Sequence, residues 1–262
     1  MSVAGPTELL HHGEIEVRGR IMPASNHTFL ASLGAGGDAV AAVYKPVSGE
    51  RPLWDFTDGS LAAREYAAWL VSECTGWRIV PPTTLRDGPA GRGMVQLWQE
   101  PDESQSPVDL VPEGRVPEGY LRVVDAFDRH DRPVTLIHED SAGLRRMAVF
   151  DAVVNNTDRK GGHVLAMADG HRFGVDHGVC FHPEDKLRTV LWGWAGEPLE
   201  EPERGGVERV LHGLDEDLGV ALADLLTPLE IRALRRRCQR LLALGTFPLP
   251  AGGWPAIPWP AF

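Results

Sequence analysis

The alternation of apolar and polar residues near the start of the chain predicts a set of antiparallel strands. Residues 13–21 (GEIEVRGRI) alternate with a period of two, and a second strand-like run covers 28–33 (TFLASL). Glycines interrupt the chain at 34–38 before apolar residues resume over 39–46. Because these glycines lack GxGxxG spacing and join two strand-like runs, they predict a hairpin turn and not a phosphate-binding loop.

The next pattern changes from strand to helix and back. Residues 58–77 are Ala-rich with helical apolar spacing, and an Asp or Ser precedes the first turn as a candidate N-cap. Two further strand-like runs, 79–87 and 91–100, flank a Gly-Pro turn. The first hundred residues are therefore predicted to be rich in β-structure.

The second half of the chain carries two helical patterns with a hairpin between them. Residues 143–156 have the apolar spacing of a buried helix, and 163–181 contain two short apolar runs around a turn. Thr227, with Glu230 three residues later, forms a capping-box pattern that begins a last long helix. We expect the cations at 235–237 to lie mostly on the solvated face of this helix.

Composition limits the possible functions. Lys and Arg number 26 and Asp and Glu 37, a net charge of −11, which argues against a general nucleic-acid binder. No apolar run of 18 or more residues and no signal-peptide pattern is present, so we expect a cytoplasmic protein without a transmembrane segment. The three widely spaced Cys predict no disulfide framework.

A segment rich in Pro and acidic residues, 101–117, predicts a hinge between two lobes. Residues 1–100 would form a β-rich N-terminal lobe, and 101–262 a mainly helical C-terminal lobe with the catalytic loop. The predicted fold class is α+β, with both lobes in one domain.

Five residues occur in the order that phosphoryl transfer from ATP requires. Lys45 ends a predicted strand and Glu65 follows it on a helix, while Asp158 and His163 lie five residues apart and Asp176 ends a later strand. Each alone has an ordinary structural explanation, such as a solvated turn or a helix surface. Together they match a phosphate-binding Lys, its orienting Glu, an acceptor-facing Asp and two metal ligands.

The segments 155–165 (NNTDRKGGHVL) and 173–198 (FGVDHGVCFHPEDKLRTVLWGWAGEP) resemble the catalytic and metal-binding segments of phosphatidylinositol 3- and 4-kinases. The resemblance is closest to type II phosphatidylinositol 4-kinases and to the actinobacterial PI3/PI4-kinase-like proteins. It implies the two-lobed, atypical protein-kinase-like fold of that family. His163 occupies the position at which the family has Asn.

The resemblance also implies roles for individual residues. Asp158 would orient or deprotonate the acceptor hydroxyl, and Arg159 would brace its loop. Residues that would hold ATP are Lys45 and Glu65 at the phosphates, Ser25, Asn26 and Thr28 in the turn over the phosphates, and Gln96, Leu97 and Trp98 with their backbone at the adenine edge.

His163 and Asp176 would hold Mg²⁺ or Mn²⁺, and the imidazole would suit Mn²⁺ better. Two alternatives are that His163 only donates or accepts a hydrogen bond nearby, or that the protein binds ATP without transferring phosphate. A zinc site among His163, Asp176, His177 and His182 is a further alternative, although the spacing lacks the usual paired-ligand pattern.

The acceptor is open at this stage, because one phosphoryl-transfer core serves lipid, protein and small-polyol hydroxyls. A protein Ser/Thr kinase on the same scaffold is therefore the main alternative to a lipid kinase.

Overall fold

A computed structural model describes residues 5–22, 26–56, 59–252 and 255–262. The helices and strands of these residues, in chain order, are α1 Pro6–His12, β1 Ile15–Arg20, β2 Phe29–Leu33, β3 Val40–Pro46, α2 Leu61–Thr75, β4 Thr83–Gly88, β5 Gly91–Leu97, β6 Val108–Pro112, β7 Tyr120–Phe127, β8 Pro133–Glu139, α3 Ala142–Val154, β9 Val164–Ala166, β10 Arg172–Gly174, α4 Glu201–Gly213, α5 Asp217–Ala223 and α6 Pro228–Leu244.

The N-terminal strands form one antiparallel sheet with the order β1-β2-β3-β5-β4. β3 lies at its centre, and Tyr44 on β3 is fully buried beside Leu33 and Val95. The predicted strands are confirmed, and the predicted turn after β2 contains a single 3-10 turn, Gly36–Asp38. Lys45 follows Tyr44 near the end of β3. Because β3 is paired with a strand on each side, the backbone of Lys45 is held firmly in place.

Helix α2 connects β3 to β4 and begins three residues after the predicted start. Ser60 accepts a hydrogen bond from Ala63 N at 3.0 Å, and the Glu50 carboxylate accepts two more from first-turn amides at 2.9 and 2.8 Å. These acceptors satisfy amides that the helix cannot pair itself, and negative charge is favourable at this end. Gly76 ends the helix with φ of +72° in the left-handed conformation.

The region after β5 contains more β-structure than predicted. Residues 108–112 of the predicted hinge form β6, which joins β8 and β7 in a second antiparallel sheet of order β6-β8-β7. The short hairpin β9-β10 is confirmed within the predicted span. Helices α3 to α6 still contain most of the regular structure described in this region, and the small sheet and the hairpin are additions to the expected helices.

Helix α3 forms the centre of the larger core, as predicted for a buried helix. Met147, Phe150 and Val153 are completely buried and pack with residues of α2, α4 and α6. The contact between α4 and Trp77, which lies just after α2, depends on Gly206, because a Cβ at this position would lie 2.0 Å from the Trp77 ring. The core thus fixes α2 against the elements that carry the second half of the site.

Helix α6 begins with the predicted capping box. Thr227 Oγ1 accepts a hydrogen bond from Glu230 N at 3.3 Å, and Glu230 Oε2 accepts one from Thr227 N at 2.8 Å. Glu230 also pairs with buried Arg64 at 2.6 Å, which ties the start of α6 to α2.

Thr227→Ala should lower the free energy of unfolding by about 1 kcal/mol, because it removes the acceptor for a first-turn amide. Thr227→Ser, which keeps the hydroxyl, should lose much less in the same urea titration. Equal losses in the two variants would show that the hydroxyl does not stabilise the helix start.

One of the three cations at 235–237 departs from the solvated face on which they were mostly expected. Arg236 is exposed and Arg235 half-buried, but Arg237 retains 3% of its exposure. Its guanidinium turns inward, where Nε donates to Val153 O at 2.9 Å and Nη1 to His182 O at 3.3 Å. The run of three cations in the sequence does not show that the third, Arg237, lies on the buried face of α6.

Candidate functional site

The first part of the site is an ion triad that joins β3, α2 and the segment after β10. Lys45 Nζ lies 2.6 Å from Glu65 Oε1 and 2.9 Å from Asp176 Oδ1. The other Glu65 oxygen accepts a hydrogen bond from His177 N at 2.9 Å. Glu65 therefore holds the Lys45 ammonium and the backbone beside Asp176 in one fixed arrangement.

Asp176 has the backbone and charge of a residue placed for function. Its φ is +62°, a left-handed conformation that non-glycine residues adopt rarely and at a cost. Its side chain keeps about half of its exposure, 52%. The Lys45 ammonium holds the pKa of Asp176 well below its usual range, so this carboxylate is charged at neutral pH. Burial opposes the charge on Lys45, but Asp176 and Glu65 together raise the pKa of Lys45.

The second part of the site is the loop after α3, which carries Asp158. Asp158 N donates to Asn156 Oδ1 at 3.0 Å, and Thr157 Oγ1 donates to Val179 O at 2.8 Å. These bonds hold the loop while the Asp158 side chain remains 32% exposed and lies 3.2 Å from Lys160 Nζ. Asp158 is thus fixed by its backbone and open at its carboxylate.

Arg159 braces this loop from inside the protein, as the resemblance implies. The guanidinium is completely buried and contacts Asp151 on α3 at 2.9 to 3.1 Å. It also donates to the carbonyls of His163 and Val175 at 3.3 and 3.0 Å, and its Nη2 lies 2.6 Å from His177 Nε2. One side chain therefore connects α3, the Asp158 loop and the strand leading to Asp176.

His163 lies beside Asp176, with Nε2 3.5 Å from Asp176 Oδ2. Burial lowers the pKa of His163, against the opposing effect of the Asp176 carboxylate, and the imidazole is neutral at pH 7. A long contact from Lys160 N to Nδ1, 3.5 Å, favours the tautomer with the proton on Nε2. Coordination of a metal through Nε2 requires the other tautomer and the loss of this weak contact.

The donor set fits a divalent ion that is bound jointly by protein and phosphate. Mg²⁺ and Mn²⁺ at such sites use one or two protein ligands, with phosphate oxygens and water completing the shell. The Asp176 carboxylate and, in its other tautomer, the neutral His163 imidazole would supply two adjacent ligands. A site made of protein ligands alone does not fit, because the described residues contain no group of three or more His, Cys, Asp or Glu that could hold a metal.

The zinc alternative is disfavoured by the positions of two histidines. Burial and the neighbouring Arg159 keep the pKa of His177 well below its usual value, and its Nε2 faces that guanidinium. His182 accepts from Glu184 N at 3.1 Å and lies 3.2 Å from Lys186 Nζ. Both rings therefore have structural partners.

A cavity of about 450 Å³ opens onto these groups. Lys45, Glu65, Asp158 and Asp176 all line it. The segment between β3 and α2 forms another wall, to which it contributes residues 50–53. The cavity is of the size of small-molecule sites, and its charged lining includes two residues from the first hundred positions, Lys45 and Glu65, and two from the second half of the chain, Asp158 and Asp176.

The phosphate-turn prediction covers residues on both sides of a gap. Ser25 lies outside the described residues. Asn26 lines the cavity, where its Oδ1 accepts a hydrogen bond from Arg51 N at 2.8 Å. Thr28 is buried, and its carbonyl accepts from Ile21 N at 2.8 Å. Of the three residues predicted in this turn, Asn26 is the described one that lines the cavity.

The three residues predicted at the adenine edge lie at the end of β5 and just beyond it. The Gln96 amide donates to Thr83 Oγ1 at 2.8 Å, while Leu97 N and Trp98 N donate to Pro82 O and Ala41 O at 2.9 and 3.0 Å. Both of these backbone amides are therefore already hydrogen-bonded within the protein.

Sequence reasoning missed two residues that shape the site. Asp151, completely buried, is the partner of Arg159, and its signal was an acidic residue within the otherwise apolar stretch 147–154. Glu50, which caps α2 and lines the cavity, had no recognisable signal because the segment around it is irregular.

Comparisons with known proteins give one strong match. No family model matches the chain. A solved structure, that of the Helicobacter pylori proinflammatory kinase CtkA, covers 90% of this chain and 93% of its own at 12% identity and a TM-score of 0.44, which is too low to assign a fold or an activity. No helix among the described residues is long and apolar enough to cross a membrane. Protein Rv2133c of Mycobacterium tuberculosis is 52% identical over 263 residues, 97% of this chain and 94% of that protein. The chain therefore belongs to the family of Rv2133c.

Proposed function

We propose that the protein is an ATP- and divalent-metal-dependent phosphotransferase of the PI3/PI4-kinase-like type, which transfers the γ-phosphate to a hydroxyl. The observation that carries the proposal is the convergence of Lys45, Glu65, Asp158 and Asp176 on one cavity. These residues come from a strand, a helix and two loops that are separated by up to 131 positions. Ordinary packing does not require this combination of charges at one opening.

Each charge has a role in positioning the phosphates. Lys45 is held by Glu65 at 2.6 Å and would contact phosphate oxygens. Its ion pair with Asp176 would be replaced by these phosphate contacts when the nucleotide binds. A bound divalent ion, held by Asp176 and His163, would neutralise charge on the phosphates. Since phosphoryl transfer depends mainly on positioning and charge stabilisation, a rigid triad is well suited to it.

Asp158 would accept or orient the proton of the acceptor hydroxyl. Its carboxylate faces the same cavity as Lys45 and Asp176, and its backbone is fixed by Asn156. Arg159 would keep the loop in place without touching the substrate, because it is completely buried. The acceptor belongs to one of three classes, a lipid, a protein or a small polyol, and the two family-like motifs favour a lipid.

ATP binding measured by calorimetry, with Mg²⁺, with Mn²⁺ and without metal, tests the first half of the proposal. Binding should require a metal and weaken at least about tenfold in Asp176→Asn, which removes a metal ligand but leaves a half-exposed side chain of the same shape. Arg92→Met, an exposed change on β5, is the control. Metal-independent binding of equal strength in Asp176→Asn would contradict the assignment.

His163→Asn should move the metal preference from Mn²⁺ towards Mg²⁺, because an amide oxygen replaces an imidazole nitrogen. The pH dependence should change as well. The pKa of His163 is lowered, so the wild type should lose metal-supported ATP binding only when the pH falls below the ordinary His value of about 6.5, and this loss should be reduced in His163→Asn. Metal preference and pH profile that both stay unchanged would remove His163 from the metal site.

A further inference from the structure

A smaller cavity, of about 260 Å³, adjoins the cavity that contains Lys45. We call the smaller one the Arg188 cavity, because Arg188 lines it. The two cavities share three lining residues, Leu53, Asp158 and Val179. Asp158 therefore lies at the boundary of the two openings, and molecules bound in both would meet beside it. The remaining walls of the Arg188 cavity come from the segment 54–56 and Thr157.

Arg188 belongs to an extended stretch that runs beside the Asp158 loop. Its N donates to Asn156 O at 2.9 Å, and its O accepts from Arg159 N at 3.0 Å. The next side chain, Thr189, points inward, where its hydroxyl donates to buried Asp151 at 3.2 Å. Because successive side chains of an extended chain point to opposite sides, the Arg188 side chain points away from Asp151 and towards the cavity that it lines.

The Arg188 guanidinium has no hydrogen bond and no ion pair with the residues that the structure describes. Its Nε is buried without a partner, whereas its two terminal nitrogens are not among the buried unpaired atoms and so reach solvent. The two carboxylates of the cavity are paired with other cations, Asp158 with Lys160 at 3.2 Å and Asp55 with Lys186 at 3.3 Å. Arg188 is thus a cation available to an anion, in a protein whose net charge of −11 otherwise repels anions.

We propose that the Arg188 cavity receives the acceptor, and that the acceptor is a polyol carrying one anionic group, a phosphate or a carboxylate. Its reacting hydroxyl would lie at Asp158 and its anionic group at Arg188, whose planar fork matches two oxygens of either anion. The cavity is slightly smaller than sites that enclose a drug-sized ligand, which suits a compact polar group. The polyol is either a free molecule or the head group of a lipid.

This inference rests on the proposed phosphotransferase function, to which it adds the class of acceptor and the residue that selects it. In the transfer step the polyol oxygen would form a bond to the γ-phosphorus of ATP, and the bond from that phosphorus to the β–γ bridging oxygen would break. ADP would leave with the electron pair of the broken bond. The hydroxyl proton would pass to Asp158 and then to solvent.

Titration calorimetry with matched polyols tests the anion site on the full chain, with and without a non-hydrolysable ATP analogue and Mn²⁺. The pairs are inositol 1-phosphate with inositol, and gluconate with sorbitol. At least one anionic member should bind about tenfold or more tightly than its neutral counterpart, because it gains hydrogen bonds to a charged group. The pair with the larger difference identifies the anionic group.

Arg188→Met should remove this preference, since it keeps an apolar stem but loses the guanidinium. Arg188→Lys should retain part of it, because the charge stays and the fork is lost. Arg92→Met, the same change at an exposed position on β5, is the control and should bind as the wild type does. Equal binding of anionic and neutral polyols by the wild type, or an unchanged preference in Arg188→Met, would overturn the proposal.

Transfer of label from γ-labelled ATP separates this inference from the proposed function. The acceptors are the four polyols in solution and vesicles of phosphatidylcholine with and without phosphatidylinositol. Label in a soluble anionic polyol indicates a free acceptor, and label in the vesicles indicates a lipid head group; either should fall at least about tenfold in Arg188→Met. Equal transfer to neutral and anionic acceptors would overturn the inference and leave the phosphotransferase standing. No transfer at all, with the calorimetric preference intact, would contradict the phosphotransferase and still support an anion site at Arg188.

Discussion

Asp158→Asn is expected to reduce phosphate transfer by roughly 10²–10⁴-fold, the usual contribution of a positioned general base. The amide has the shape of the carboxylate but cannot accept the hydroxyl proton. ATP binding should be nearly unchanged, because the triad of Lys45, Glu65 and Asp176 does not contact this side chain through any hydrogen bond or ion pair of the described residues. The stability should also be retained, since Asp158 is partly exposed and its loop is held by backbone contacts.

The rate is best measured in single turnover with labelled ATP, which separates transfer from binding. Asp169→Asn, on the exposed turn between β9 and β10, is a matched change of the same type at a position away from the cavity. Transfer by Asp158→Asn at the wild-type rate would remove Asp158 from the chemistry. Undetectable transfer in the wild type, with intact metal-dependent ATP binding, would favour the ATP-binding protein without turnover.

Asp151→Asn is expected to lower the free energy of unfolding by about 3–5 kcal/mol, because it leaves Arg159 buried without its counter-ion. Both side chains have no exposure, and the pair is joined by contacts of 2.9 to 3.1 Å. The neutral amide can receive only part of the guanidinium hydrogen bonds. Thr189, whose hydroxyl donates to Asp151 Oδ2 at 3.2 Å, would lose a good acceptor as well.

Urea unfolding of Asp151→Asn and of the double variant Asp151→Leu, Arg159→Leu tests this account. The double variant should be more stable than Asp151→Asn, because it leaves no buried charge unpaired. Asp215→Asn, at an exposed ion pair with Arg235, should hardly move the unfolding midpoint. A similarly small effect of Asp151→Asn would show that Arg159 is not held by this carboxylate.

The parts of the fold that sequence patterns predict well are those in which local period and burial agree. Strand β3 alternates between buried and less buried positions around a core that contains Leu33 and Tyr44, and residues 147–154 of α3 are mostly apolar because they are buried. The small sheet of β6, β7 and β8 was missed because β7 has no buried position and is exposed at half of its residues, including Val124 and Phe127. Its apolar residues follow no buried face.

Helix α4 was missed for a different reason. Two adjacent glycines, Gly205 and Gly206, lower its helix propensity, and the reason for the second one is tertiary. Gly206 allows the helix to approach the Trp77 ring, a contact between positions that are far apart in the chain. Arg237 shows the same limit, because a run of three cations does not reveal which of them turns inward.

For the candidate site, the order of five residues along the sequence was the main basis of the prediction. The positions of Lys45, Glu65, Asp158, His163 and Asp176 suggested the parts of one phosphoryl-transfer site, and the structure places four of them around one cavity, with His163 beside Asp176. Their roles in ATP and metal binding stay predictions. The supporting contacts could not be predicted, because Asp151 and Glu50 act through folded neighbours and not through a motif.

The most direct test of the central claim is the transfer of label from γ-labelled ATP into separated lipid, protein and small-molecule fractions of a bacterial extract. It should be performed with Mg²⁺ and Mn²⁺ separately, with Asp158→Asn beside the wild type. The account predicts metal-dependent label in one fraction that disappears in Asp158→Asn, with the lipid fraction expected first and the protein fraction as the alternative. Absence of label from all three fractions, or equal label with wild type and Asp158→Asn, would contradict it.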